Sequence, residues 1–254
     1  MCARNFLLLF LSCLTVTMLS AQEPEDDAPQ VDPAHLPGLP PAKEGDIQCR
    51  CITTFMLGNR ETYFFKIGST YHEVELVSEG ISQTFPVSGS TTFTLYKKAP
   101  PTKELPDEEK SLYVPVVQQE LKGGGKDFFI ILSRKDDKSP MKTRAINISK
   151  ANCPADSIHL YNFSPLALGM EIEDSKGVLE PYKNFRYPFG NAASRNTYTT
   201  AKIVMRYKGE DKVMASTRLR LVPGRRMILF CFPSESRASL GATPLRMITY
   251  QDKP

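Results

Sequence analysis

From Ile47 onward the chain runs in short stretches of alternating apolar and polar residues. Ile47, Cys49, Cys51 and Phe55 alternate with Gln48, Arg50 and Thr54; Val74 and Leu76 alternate with Glu73 and Glu75, and Phe93 and Leu95 with Thr92 and Thr94. The rhythm returns later, with Ile203, Met205 and Tyr207 set against Lys202 and Arg206, and Leu219 and Leu221 against Arg218 and Arg220. Successive side chains of a strand point to opposite faces, so this period predicts strands with one face on a core and one in water. Two runs, 128–132 and 227–232, are apolar at every position and predict central strands covered on both faces. Sustained helical spacing is absent. Gly123-Gly124-Gly125 and Pro223-Gly224 supply turn chemistry, and the glycine triplet with Lys126 reads as a hairpin turn.

The two apolar runs also mark an internal repeat. Leu112 to Gln119, the glycine triplet and 128–132 are followed by a strand at 141–149; Thr217 to Val222, Pro223-Gly224-Arg225-Arg226 and 227–232 are followed by one at 245–250. Upstream, Tyr63-Phe64-Phe65-Lys66-Ile67 matches Leu168-Gly169-Met170-Glu171-Ile172, and Thr84-Phe85-Pro86-Val87 matches Arg186-Tyr187-Pro188-Phe189. A period of about 100 residues suits a duplicated small β-domain and is too long for a solenoid. The expected fold is therefore all-β: two tandem immunoglobulin-like β-sandwich domains, 47–150 and 151–254. Lys97 to Lys110, with Pro100, Pro101 and Pro106, is expected to be a long exposed loop of the first domain.

What precedes the first strand carries an address. Arg4, an apolar stretch opening at Phe6 and running to about Leu19, and Ser20-Ala21 have the layout of a secretory signal peptide, 1–21, cleaved after Ala21. Cys13 after Leu11-Ser12 loosely fits a lipidation site, but the apolar stretch simply continues past it. Residues 22–46 are expected to be a disordered, acidic, proline-rich tether. Seven acids (Glu23, Glu25, Asp26, Asp27, Asp32, Glu44 and Asp46) stand there against Lys43 alone. Of the chain's 32 basic and 28 acidic residues, 30 and 21 remain once Arg4, Lys43 and those seven acids are set aside, so a basic body follows an acidic tether able to screen it. No later stretch approaches the length of a membrane helix, and the expected location is secreted, periplasmic or at the cell surface.

Chemistry is sparse. His35, His72 and His159 stand in no metal-ligand pattern, no nucleophile elbow is present, and Gly123-Gly124-Gly125-Lys126 lacks the spacing and the following Ser/Thr of a phosphate loop. The reading assigns no catalytic residue, no cofactor and no metal. Export permits disulfides among Cys49, Cys51, Cys153 and Cys231, but Cys49 and Cys51 share one strand face and cannot bond each other undistorted; the connectivity of the rest stays open, with buried thiols the alternative. One constellation has a physical argument. If 202–207 and 212–222 form a hairpin with Ile203, Met205, Leu219 and Leu221 inward, Lys202, Arg206, Arg218 and Arg220 share its outer face, with Arg225 and Arg226 at one end. Such a face invites an anion, or else guards an edge strand against aggregation. Nucleic acid is not expected, because the stripe lacks stacking aromatics.

The export signal, acidic Pro-rich tether and two β-domains with a Pro-Gly-Arg-Arg turn before an apolar strand resemble uncharacterised secreted two-domain proteins of Gram-negative bacteria, a family that brings no activity with it. Periplasmic pilus chaperones share the signal peptide and two immunoglobulin-like domains, but of their signatures only Leu112-Tyr113-Val114-Pro115 is echoed. The expected function is a noncatalytic binding module for an anionic envelope component or partner protein. A hydrolase with a site in the interdomain cleft and a chaperone-like assembly factor are the alternatives.

Overall fold

The computed structural model describes residues 39–57, 61–99, 112–136, 139–173, 175–189, 198–207, 210–234 and 245–254. The first half comprises Ile47–Thr53 (β1), Tyr63–Ile67 (β2), Thr70–Val74 (β3), Ile81–Val87 (β4), Thr92–Lys98 (β5), Tyr113–Glu120 (β6), Asp127–Ser133 (β7) and Lys142–Asn147 (β8). The second comprises Ser157–Asn162 (β9), Leu168–Ile172 (β10), Ser175–Leu179 (β11), Asn184–Pro188 (β12), Tyr198–Tyr207 (β13), Glu210–Arg220 (β14), Arg226–Pro233 (β15) and Leu245–Asp252 (β16). Among the described residues there is no helix, and so none long and apolar enough to cross a membrane. The expected loop at 97–110 lies largely outside the described residues.

The strands form four four-stranded sheets, and the second half repeats the strand order of the first: β4-β1-β7-β8 and β3-β2-β5-β6, then β12-β9-β15-β16 and β11-β10-β13-β14. In each half the first strand runs parallel to the seventh, as β1 to β7 and β9 to β15. Register aligns the halves residue by residue. Cys49 pairs with Phe128 and Phe85 as Ile158 pairs with Met227 and Tyr187. The ladder shifts at Leu95/Tyr96 in β5 and at the corresponding Ile203/Val204 in β13. A bulge kept at one place in both halves marks a structural feature of the repeat.

Why 128–132 and 227–232 are apolar on both faces follows from the layering. Phe128, Ile130 and Leu132 enter a core with Cys49, Phe65, Phe93 and Leu95, which packs the two sheets of the first half face to face. Met227, Leu229 and Cys231 do the same with Met170, Ile203 and Leu219 in the second. The alternate residues, Phe129 and Ile131 on β7 and Ile228, Phe230 and Phe232 on β15, join Ile52, Ile146, Ile148 and Cys153 in a third core shared by the halves. Sheets β4-β1-β7-β8 and β12-β9-β15-β16 are thus inner layers, and the other two are outer layers with no further sheet on their second face among the described residues. Phe129 meets Phe230 at 4.8 Å and Tyr250 at 5.0 Å, both edge to face, the preferred aromatic geometry.

Polar ties close the same interface. Glu79 of the first half is 1% exposed and accepts from Ser234 Oγ at 2.8 Å and from Arg246 Nη1 at 2.9 Å in the second. A buried carboxylate is tolerated only when paired and hydrogen-bonded in this way.

Two expectations need correction. The glycine triplet makes no hairpin, since β6 lies in an outer sheet and β7 in an inner one; it carries the chain from one layer to the next, and Pro223-Gly224 does the same between β14 and β15. Gly123 and Gly124 have φ of 90° and 65°, a conformation that favours glycine. Nor does the whole segment 22–46 dangle: its described end is held, with Leu39 against the first-half core and Asp46 accepting from Ser88 Oγ at 2.6 Å. Residues 1–38, with Cys13 and the cleavage site, lie outside the described residues. The four cysteines 49, 51, 153 and 231 are buried free thiols.

Candidate functional site

The hairpin β13–β14 forms as its alternation implies, with Ile203, Met205, Leu219 and Leu221 buried and Arg218 and Arg220 exposed. Cross-strand pairing, however, sets no two of its cations against each other. Lys202 faces Ser216, Arg218 faces Thr200, Arg220 faces Tyr198, and Arg206 pairs in register with Asp211. The repulsion expected across the strands is therefore relieved by register. The Arg206 side chain lies outside what is described.

Lys202 and Arg218 border a surface trough of about 440 Å³ on the free face of the outer sheet, together with Tyr198, Thr199, Thr200, Glu171 and Glu173. The Arg218 guanidinium sits 4.3 Å from the Tyr198 ring centroid, a cation–π contact. Both carboxylates have partners. Glu171 lies 3.8 Å from Lys176 Nζ, and Glu173 accepts from Tyr187 OH at 3.0 Å. Among the described residues none of Lys202, Arg218 and Arg220 is in an ion pair. The buried Thr199 hydroxyl also lacks a hydrogen-bond partner among the described residues. The arrangement is a mixed trough with two unpaired cations.

The last two candidates separate. Arg225 is exposed in the turn after β14. Arg226, expected beside it on the surface, is 1% exposed and points into the interface between the halves. Its Nε and Nη2 donate to the two Asp252 oxygens at 2.6 and 2.9 Å, and Nη1 donates to the carbonyls of Ile148 and, at 3.0 Å, Cys153. Every edge of that fork is engaged, so Arg226 ties the halves together and offers nothing to an outer ligand. Parity explains the placement: Arg226 shares the interface face of β15 with Ile228 and Phe230.

Sequence reasoning missed Tyr198, Thr200, Glu171 and Glu173. Their signal lay in pairing register, which alternation alone does not supply. Elsewhere, His159 is buried and its Nε2 lies 2.8 Å from Ser157 Oγ. Burial, then the charges of Arg186 and Arg226, push its pKa down to about 4. The serine hydroxyl donates to Pro154 O at 2.6 Å, so this pair is a closed hydrogen-bond chain in which the serine proton is already committed. Among the described residues no group of three or more His, Cys, Asp or Glu side chains could hold a metal ion. No protein-family model matches the chain, and no curated protein shows significant similarity to it.

Proposed function

We propose that the protein is a noncatalytic binding module of the exported compartment, recognising an anionic envelope component or partner protein through the outer sheet of its second half. The observation that carries this reading is the pair Lys202 and Arg218, unpaired and converging on one trough, with Arg220 beside them. Lys202 stands opposite Glu171 in the ladder without an ion pair to it among the described residues, and Arg218 is exposed and in contact with the Tyr198 ring, so both cations are available to a ligand's carboxylate or phosphate groups. The immunoglobulin-like description fits the two-sheet packing of each half, although pairing of the first strand with the seventh differs from the constant-type order. The hydrolase alternative needs a cleft between the halves, and among the described residues that space is occupied by Ile52, Phe129, Phe230 and their neighbours.

The test is retention on an immobilised acidic polysaccharide such as alginate. Replacing Lys202, Arg218 and Arg220 with Ser should lower retention about tenfold, since each exposed charge contact contributes roughly 0.5 kcal/mol, and salt should mimic the substitution. Unchanged retention by the folded triple variant would reduce the stripe to an edge guard.

A further inference from the structure

We propose that the outer sheet of the first half carries a second, separate binding site, selective for a neutral, hydroxyl-rich ligand of the glycan class. The repeat locates it. Ladder register superposes Lys66 on Glu171, Ser90 on Tyr198, Thr92 on Thr200, Thr94 on Lys202 and Gln118 on Ser216. At that place lies a trough of about 540 Å³, within the range of small-ligand pockets and lined by the first-half members of all five pairs, with Tyr96.

Its chemistry differs from that of the second-half trough in a consistent direction. Among the described residues no carboxylate lines it and Lys66 supplies one ammonium, whose Nζ lies 5.3 Å from the Tyr71 ring centroid. Gly68 stands where the second half places Glu173; its φ is +60° and the space beside its missing Cβ is open. The trough is left unobstructed where the other is bordered by an acid.

Serine and threonine hydroxyls and a glutamine amide each donate and accept, which matches a ligand whose own hydroxyls do both. A polyanion entering here would find one cation, and an uncompensated charge is costly to desolvate. Apolar contact for the C–H face of a sugar ring comes from Tyr96 and from the half-buried Ile67 in the lining. Tyr96 is itself braced edge-on by Tyr71 at 5.1 Å, and Tyr71 stacks on Tyr113 at 4.0 Å, so the aromatic wall is rigid. A preorganised wall lowers the ordering cost of binding. Because each half carries its own trough, the protein would join an anionic ligand to a neutral one.

The experiment is affinity electrophoresis of the intact chain in gels containing hydroxyethylcellulose, xyloglucan or galactomannan. At least one should retard the protein. Thr94→Ala with Gln118→Ala should weaken that retardation about tenfold, and Ser90→Tyr, which imports the second half's residue at the trough rim, should do likewise. Retardation should persist at about 0.5 M salt and in a Lys202→Ser, Arg218→Ser variant, which separates this site from the cationic one. Circular dichroism and thermal unfolding verify that the variants fold. No retardation by any of the three polysaccharides would overturn the proposal. So would retardation unaffected in the folded first-half variants, or retardation lost in the Lys202/Arg218 variant.

Discussion

The outer sheets of the two halves share strand order, register and the position of a bulge, yet they differ in what they present. Along the free face of β2, β3, β5 and β6 stand Phe64, Tyr71, Tyr96 and Tyr113; at the corresponding positions of β10, β11, β13 and β14 stand Gly169, Lys176, Val204 and Asp211. Farther along the same strands, Thr94 and Glu120 give way to Lys202 and Arg218. Inward positions keep their character, as Phe65 against Met170 and Leu95 against Ile203, because each must fill a close-packed core. Free faces carry no such constraint. The contrast teaches that the duplicated architecture is held by its inward residues, while its outward residues are free to diverge.

The interface between the halves gives the sharpest test of whether they are one body. Phe230 is fully buried against Phe129, Tyr161 and Phe163. Phe230→Ala should cost about 3–5 kcal/mol in denaturant unfolding. It should also split one cooperative transition toward two, whereas a single unshifted transition would mean the shared core contributes little.

Next in size is the contrast between two adjacent arginines. Arg226→Met takes the guanidinium from two carbonyls and from Asp252, which keeps only the Tyr250 hydroxyl, and should destabilise by roughly 3 kcal/mol. Arg225→Ser should stay within about 0.5 kcal/mol. Equal effects in chemical denaturation would contradict the placement of Arg226.

The pH dependence sharpens a third contrast, since His159 occupies the register position held by Arg50 in the first half. Its folded pKa of about 4 lies below the ordinary 6.5, so the unfolded chain takes up a proton that the folded chain refuses. The stability it supports is complete above pH 6.5 and falls as pH drops from 6.5 to 4, by up to about 3 kcal/mol. His159→Gln should flatten the unfolding free energy over that window; an unchanged slope would count against a neutral buried imidazole.

The smallest effect concerns the thiols, which sit in the two sandwich cores and, for Cys153, in the core between the halves. Burial pushes Cys49 and Cys231 up to about 12 and Cys51 well above its usual range. Native protein should therefore resist a maleimide at neutral pH and react once unfolded, as mass spectrometry would show.

Much of this architecture was legible in the chain. Alternation exposed the strands, and the match of 63–67 to 168–172 and of 84–87 to 186–189 agrees with the pairing register. Doubly apolar 128–132 and 227–232 announced a second covered face, but not that each half covers the other, because what packs on a strand is a tertiary fact. The β13–β14 outer face was readable from parity. Arg226 was misplaced because a Pro-Gly-Arg-Arg turn looks solvent-exposed, and its partner Asp252 lies far along the chain. The second-half trough needed Glu171 and Tyr198 from neighbouring positions that only register brings together.

The central claim is that matching outer sheets recognise different ligands, and hydrogen exchange read by mass spectrometry tests it most directly. With alginate, exchange should slow in peptides spanning 198–220 and stay unchanged across 92–98 and 113–120. With whichever neutral polysaccharide retards the protein, the pattern should reverse. Protection of the same half by both ligands, or of neither half by either, would contradict the account.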